Sequence, residues 1–233
     1  MIENKNILII GGSSGIGLAL AEYLAPQNNV IIASRTNDSI KHLNVQHVCY
    51  DATQDEFDTS KLPEVLHGFV YCPGSINLRP FKGLKLEAFS SDFEINVLGA
   101  VRSLKSVLGH LAASGNASVV FYSTVAVQTG MPFHSSVAAS KGAIEGLTRS
   151  LAAEFAPKIR VNAIAPSLVN TPLASKFLNN EAKMEKASER HPLGRVGNAK
   201  EIAQATEFLL GEESSWMTGS VLQLDGGIGN LKT

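Results

Sequence analysis

The sequence predicts an α/β protein, a Rossmann-type doubly wound parallel sheet with helices on both faces. Three observations carry this expectation. Short unbroken apolar runs recur along the chain, longer stretches of helical periodicity separate them, and a glycine-rich loop joins the first run to the first helix. A strand buried on both faces reads as continuous apolar sequence, whereas one with a wet face alternates. With no linker and no internal repeat, residues 1–233 read as one domain.

The elements follow in order. Residues 6–10 (Asn-Ile-Leu-Ile-Ile) form the first strand, and 18–24 continue as a helix beyond the glycines. Further strands are expected at 29–33, 46–50 and 68–72. Residues 34–66 are lean and leave room only for short crossovers. A long helix is expected over about 86–113, a fifth strand over 117–123, a helix over about 138–155 and a strand over 159–164. A final helix near 200–210 precedes the last strand, 221–224. From 170 to 191 the chain leaves this rhythm and reads as a helical insertion past a strand end. Open α/β sheets bind ligands at that edge, so 167–195 is a candidate substrate lid.

Composition narrows the function. A formal charge of −1 argues against a protein built on phosphate contacts with nucleic acid. No apolar run is long enough for a membrane span. The first residues show no basic segment followed by a long apolar stretch, so no secretory signal is expected. Two cysteines, Cys49 and Cys72, make neither a disulfide framework nor a four-cysteine zinc site, and no metal is expected. A reducing, cytoplasmic setting is the expectation.

The loop Gly11-Gly-Ser-Ser-Gly15-Ile-Gly17 sits between strand and helix. Glycine lets the backbone turn tightly and lets a pyrophosphate approach the amides, and the following helix aims its N–H groups at that anion. The spacing Gly-x-x-x-Gly-x-Gly differs by one residue from the commonest dinucleotide fingerprint. Further along stand Asn96 in Glu94-Ile-Asn-Val97, Lys141 in Ala139-Ser-Lys-Gly142, the run Arg160-Val-Asn-Ala-Ile-Ala-Pro166, Thr171, and a closing segment from Thr218 to Gly227. In this order, nearly end to end, the chain resembles the short-chain dehydrogenase/reductase family.

That resemblance implies a nicotinamide dinucleotide held by Gly11, Ser13, Ser14, Gly15, Ile16 and Gly17. An acid usually ends the second strand where NAD is preferred. Here Ser34 takes that place and Arg35 follows, whose planar fork suits a 2′-phosphate, so NADP(H) is favoured over NAD(H). Asp51 resembles the family's adenine-contacting acid, and it also reads as a turn residue before a capping box at 53–56. Pro166, Val169 and Thr171 match the segment that holds the nicotinamide carboxamide, with Ser167 where glycine is usual. In Tyr71-Cys72-Pro73-Gly74 the family commonly has Asn-Asn-Ala-Gly; Gly74 keeps the close approach, and Cys72 reads as a small buried residue rather than a nucleophile.

The family's working set is Asn, Ser, Tyr and Lys, with Tyr four residues before Lys on one helix face. The resemblance assigns Asn96, Thr124 (in the serine's place, beside Ser123) and Lys141. It puts Val137 at the tyrosine, and valine cannot move a proton. Ser136 and Ser140 are expected to point away from the face that Lys141 marks. Asn96 either holds a water at a local break in its helix or faces solvent. His134, three residues before Val137, is a candidate substitute acid or a solvated helix-entry residue. Tyr122 is expected on the face opposite Ser123.

Three functions remain. The first is a reductase of a small carbonyl or conjugated enone or enoyl substrate, similar to the 2,4-dienoyl-CoA reductases that also lack this tyrosine. The second is an inactive cofactor-binding sensor or partner subunit. The third is a non-redox isomerase or lyase in the same cleft. Leu173, Phe177 and Leu178 with Lys176, Lys183 and Lys186 form either an apolar lid with cations for an acidic or CoA-like substrate, or an amphipathic helix with a solvated face. By analogy a homotetramer or dimer is expected, through helices 86–113 and 138–155 and the last strand.

Overall fold

The computed structural model describes residues 2–54 and 56–232. Its sheet is parallel throughout, with β1 (Asn6–Ile10), β2 (Asn29–Ser34), β3 (Gln46–Cys49), β4 (Gly68–Tyr71), β5 (Ala117–Tyr122) and β6 (Ile159–Pro166). Two short strands, β7 (Val169–Asn170) and β8 (Gly197–Asn198), pair with each other outside it. β9 (Val221–Leu224) is the last strand and pairs with β6. The spatial order is β3-β2-β1-β4-β5-β6-β9.

Successive strand side chains point to opposite faces, so each strand feeds two cores. Leu8 and Ile10 of β1 join Phe69, Phe121 and Val161 on one face. Ile7 and Ile9 join Val70, Val120 and Ile164 on the other. This double burial is why the runs are apolar without alternation. Helix α1 (Gly15–Leu24) covers the second face with Leu20 and Leu24. The first face takes α2 (Leu86–Phe93), α3 (Gly99–Ser114) and, after a single turn α4 (Ala126–Thr129), α5 (Ser135–Phe155). Leu104, Val107 and Leu111 of α3 and Ile144 of α5 are among the residues buried on this face. α6 (Ser175–Leu178) and α7 (Glu181–Glu189) build the insertion, and α8 (Ala199–Leu210) returns to the second face with Ile202 and Leu209.

Three sequence expectations are corrected. The stretch over 86–113 is not one regular helix: a π turn at Glu94–Leu98 separates α2 from α3. The helix expected from 138 begins at Ser135. The capping box at 53–56 starts no helix among the described residues; Asp51 Oδ1 instead accepts from Thr53 N (2.9 Å) and Thr53 Oγ1 (2.7 Å) to close a turn, and Asp55 lies outside the described residues. Among the described residues no helix is long and apolar enough to cross a membrane.

The run 160–166 owes its polar members to the connection before β9. Arg160 donates from Nη1 to Ser214 O at 3.0 Å and from Nη2 to Leu209 O and Gly211 O, each at 3.0 Å. Asn162 donates to Met217 O at 2.9 Å and accepts from Ser220 N at 3.1 Å. One guanidinium thus ties the end of α8 to the connection before β9, through carbonyls that Ser118, Ser214 and Met217 N also serve. Arg160→Met is expected to cost about 2–4 kcal/mol of stability in urea unfolding. A loss under about 1 kcal/mol would show that the other donors, Ser118 and Ser214 among them, suffice for those carbonyls.

Candidate functional site

β1 lies between β2 and β4, so the chain leaves β1 toward one face and β4 toward the other. The loops part at the carboxyl ends and open a crevice. The glycine loop forms one lip. A Cβ on Gly17 would collide with the Gly11 carbonyl, and Gly15 has φ +53°, a conformation that L side chains rarely adopt. Ser14, the N-cap of α1, makes no side-chain cap bond, which leaves the first-turn N–H groups pointing at the crevice. Thr171 crosses the loop: a Cβ at Gly15 would meet its Cβ at 3.4 Å. Ser39 Oγ donates to Ser13 O at 2.5 Å and holds the chain after β2 against the same lip. The loop therefore fits an anion with a close-approaching backbone, as a dinucleotide pyrophosphate requires.

At the end of β2, Ser34 is buried and its hydroxyl donates to Thr36 O at 2.8 Å, with His47 Nε2 3.1 Å away. Arg35 is exposed. The hydrogen bonds from Thr53 hold Asp51 below the usual carboxylate range, helped by the Arg35 charge.

Lys141 sits at the floor. It is 9% exposed, and its Nζ donates to Tyr122 O at 2.8 Å. Burial lowers its pKa from 10.5 to about 8. A Cβ on Gly74 would come 3.2 Å from Asn96 Oδ1 and 3.5 Å from Lys141 Nζ, so glycine keeps these two groups reachable. Asn96 lies in the π turn, fully buried rather than facing solvent. Its Nδ2 donates to Ser140 Oγ at 3.0 Å and Ser75 Oγ at 3.1 Å, while its Oδ1 is buried without a partner. Ser140 and Ser136 are both buried and neither lines the cavity that Val137 and Lys141 line; Ser140 faces Asn96 in the π turn instead.

Ser123 donates to the buried Glu145 Oε1 at 2.8 Å, and Thr124 beside it lines the crevice. Val137, 5% exposed, forms wall there. The tyrosine hydroxyls at the sheet are engaged elsewhere. Tyr122 OH lies 2.7 Å from Thr206 Oγ1, Tyr71 donates to Ile95 O at 2.6 Å, and Tyr50 OH lies 2.9 Å from Ser103 Oγ. Burial raises the phenol pKa of both Tyr71 and Tyr122 and pushes the Cys72 thiol up to about 12, so Cys72 is inert. His134 lines the crevice with Nδ1 2.7 Å from Pro132 O.

These groups meet in a cavity of about 500 Å³, with Pro166, Val169 and Thr171 on one side and Thr124, Val137 and Lys141 on the other. The insertion roofs it with Leu173 and Phe177, and Lys176, Lys183, Lys186 and Arg190 line it too. Those lysines are therefore not on a face turned wholly to solvent. Two groups escaped the sequence reading. Asp92 is buried and accepts from Ser75 (2.5 Å) and Asn77 (2.7 Å); its place one turn before Asn96 was the available signal. His191 is also buried, with Nε2 2.8 Å from Ser167 Oγ, a pairing across 24 residues that no spacing announces.

Lys141 makes the site costly. The unfolded chain holds the lysine proton up to pH 10.5, the folded chain only to about 8, so the penalty is full below pH 8 and is relieved as pH rises toward 10.5. It amounts to something on the order of 3 kcal/mol. Lys141→Met is expected to raise the thermal midpoint at pH 7, by about 2–4 °C per kcal/mol recovered, with a smaller gain at pH 10. A midpoint that falls at pH 7 contradicts a buried ammonium.

Comparison with known proteins places this geometry. The family model described as enoyl-(acyl carrier protein) reductase matches residues 11–229. The chain is 31% identical to the 2,5-dichloro-2,5-cyclohexadiene-1,4-diol dehydrogenase of Sphingobium indicum, over 97% of each chain. It superimposes on the 3-ketoacyl-(acyl-carrier-protein) reductase of Brucella melitensis complexed with NADH, with a TM-score of 0.86, 25% identity and coverage of 97% of this chain and 99% of that one. ElxO with NADP bound is 29% identical, with a TM-score of 0.87 and coverage of 97% and 98%. Fold, crevice and end-to-end similarity agree: the chain belongs to the short-chain dehydrogenase/reductase family of oxidoreductases.

Proposed function

We propose that the protein is an NADP(H)-dependent reductase of a small carbonyl or conjugated enone or enoyl substrate, working with Val137 in place of the family's tyrosine. The observation that carries this reading is the one cavity in which Lys141, Thr124, Pro166 and Thr171 meet beside the glycine loop. When bound, the cofactor supplies a hydride. The chain supplies the rest. The amides of 11–17 bind the pyrophosphate, Lys141 the ribose hydroxyls, and Val169 and Thr171 the carboxamide. Thr124 Oγ1 donates to the substrate oxygen, and the Lys141 ammonium stabilises negative charge that develops there. A conjugated substrate spreads that charge into an enolate, which lessens the need for a phenol proton donor at Val137.

Preference for the 2′-phosphate rests on Arg35, exposed at the end of β2, beside Ser34, which adds no charge. ElxO holds NADP, which agrees with this reading. A homo-oligomer is proposed on the exposed Phe93 and Leu98 where α2 passes into α3.

The second reading, a cofactor-binding member without turnover, draws on the tyrosine hydroxyls, which bond to Thr206, Ile95 and Ser103 rather than lying beside Lys141.

The test is NADPH oxidation by the purified protein against ketones, aldehydes and conjugated enones or enoyl thioesters. Turnover of the conjugated substrates is expected. Val137→Tyr is expected to raise kcat for simple ketones by about 10²–10⁴-fold. A silent wild type with an active Val137→Tyr establishes the non-catalytic reading instead. Arg35→Asp is expected to weaken NADPH binding at least tenfold and to leave NADH binding within about threefold, one lost charge-assisted contact being worth about 1.5–3 kcal/mol. Equal losses for both cofactors would remove the 2′-phosphate assignment.

A further inference from the structure

Ser167 and His191 form a hydrogen-bonded pair in the wall of the reaction cavity. His191 Nδ1 lies 2.7 Å from Ala187 O, and a carbonyl only accepts, so Nδ1 carries a hydrogen in either charge state. The variable proton is therefore at Nε2, which faces Ser167 Oγ at 2.8 Å. When the ring is neutral, Ser167 must donate to Nε2. When the ring is charged, Nε2–H donates to Oγ and the serine hydrogen is released toward the cavity. The imidazole is held from behind as well, since a Cβ at Gly226 would touch its ring atoms at 3.3–3.7 Å.

The pair lines the same cavity as the proposed oxygen site. Pro166 O accepts from Val125 N at 3.1 Å, so Ser167 begins one peptide beyond a bond to the neighbour of Thr124. Both hydroxyls line the same cavity.

On the reductase reading above, we infer that Ser167 is the proton donor that replaces the missing phenol, with His191 recharging it. As hydride reaches the substrate, the electron pair of the C=O bond moves onto oxygen. That oxygen takes the proton from Ser167 Oγ, and Oγ takes the Nε2 proton of the imidazolium. The products are the alcohol, or the enol of a conjugated substrate, and a neutral imidazole that solvent reprotonates. Ser167 touches the substrate, whereas His191 acts through it and is a positioning residue. The charged groups that line the cavity with His191 on this side are Lys186 and Arg190, while Glu189, Arg195 and Asp225 lie nearby in the chain or in its neighbouring turns. Arg195 is paired with Glu201, and the Asp225 oxygens accept from Gly227 N and Gly229 N.

The test uses Ser167→Gly, Ser167→Ala and His191→Gln in the full chain. Cofactor affinity is followed by NADPH fluorescence, and the state of the His191 ring by ¹⁵N NMR without cofactor. Both serine variants are expected to bind NADPH within about twofold of wild type and to lose about 10²–10³-fold in kcat. Wild-type kcat is expected to fall as pH rises through the ring's titration seen by NMR. In His191→Gln, which keeps an acceptor for Ser167, that alkaline limb disappears and kcat drops at least tenfold at neutral pH. Full activity in Ser167→Gly, or a wild-type pH profile in His191→Gln, overturns the assignment and leaves the reductase reading standing. A wild type that binds NADPH and reduces nothing overturns the reductase reading and the donor with it. Should His191→Gln not fold, the serine variants decide.

Discussion

One ammonium group is buried beside the end of β5, and the site is arranged around that constraint. Lys141 reaches its place because α5 packs through Ile144 on the sheet face that carries Phe121 and Val161, and because Tyr122 offers a backbone carbonyl at 2.8 Å. A buried cation tolerates few neighbours. Gly74 withholds a side chain from it, and Asn96 stands in a π turn with its own carbonyl oxygen unpartnered nearby. Regular α-helix through 94–98 would rotate Asn96 away, so the helical irregularity and the lysine belong to one design.

The crevice has two halves of different chemistry. One half is backbone: the turn at 11–17 and the first-turn amides of α1, fixed by steric limits that only glycine satisfies. The other half is side chain: Thr124, Val137, Lys141, Ser167 and His191, carried on strand ends and helix faces. A backbone site resists change because it is part of the packing between β1 and α1. A side-chain site can be altered one residue at a time, and Val137 fills its wall position without disturbing the core beneath it. On the proposed function, one frame keeps a nucleotide cradle while the proton chemistry beside it differs.

The strands and the loop were legible because both faces of the sheet are buried and because glycine spacing reflects backbone geometry. Leu8 and Ile9 face different cores, and the sequence shows this only as an absence of alternation. The π turn was half legible: a break at Asn96 was an alternative, but its register, and with it the side on which Ser140 lies, depends on how α2 and α5 pack. The pairing of Ser167 with His191 was not legible. It requires the insertion to return across β7 and β8 so that two residues 24 apart meet, and no local propensity encodes that closure. Asp92 escaped for a related reason, since its partners Ser75 and Asn77 lie on the loop after β4.

On the proposed function, this crevice passes hydride to a substrate without a tyrosine beside Lys141. The most direct measurement is NMR of the product after incubation with a conjugated ketone and NADPH deuterated at the nicotinamide C4. Deuterium is expected on one carbon of the reduced product, at stoichiometry with the cofactor consumed. Cofactor that binds, stays reduced and delivers no deuterium to any ketone or enone would contradict it.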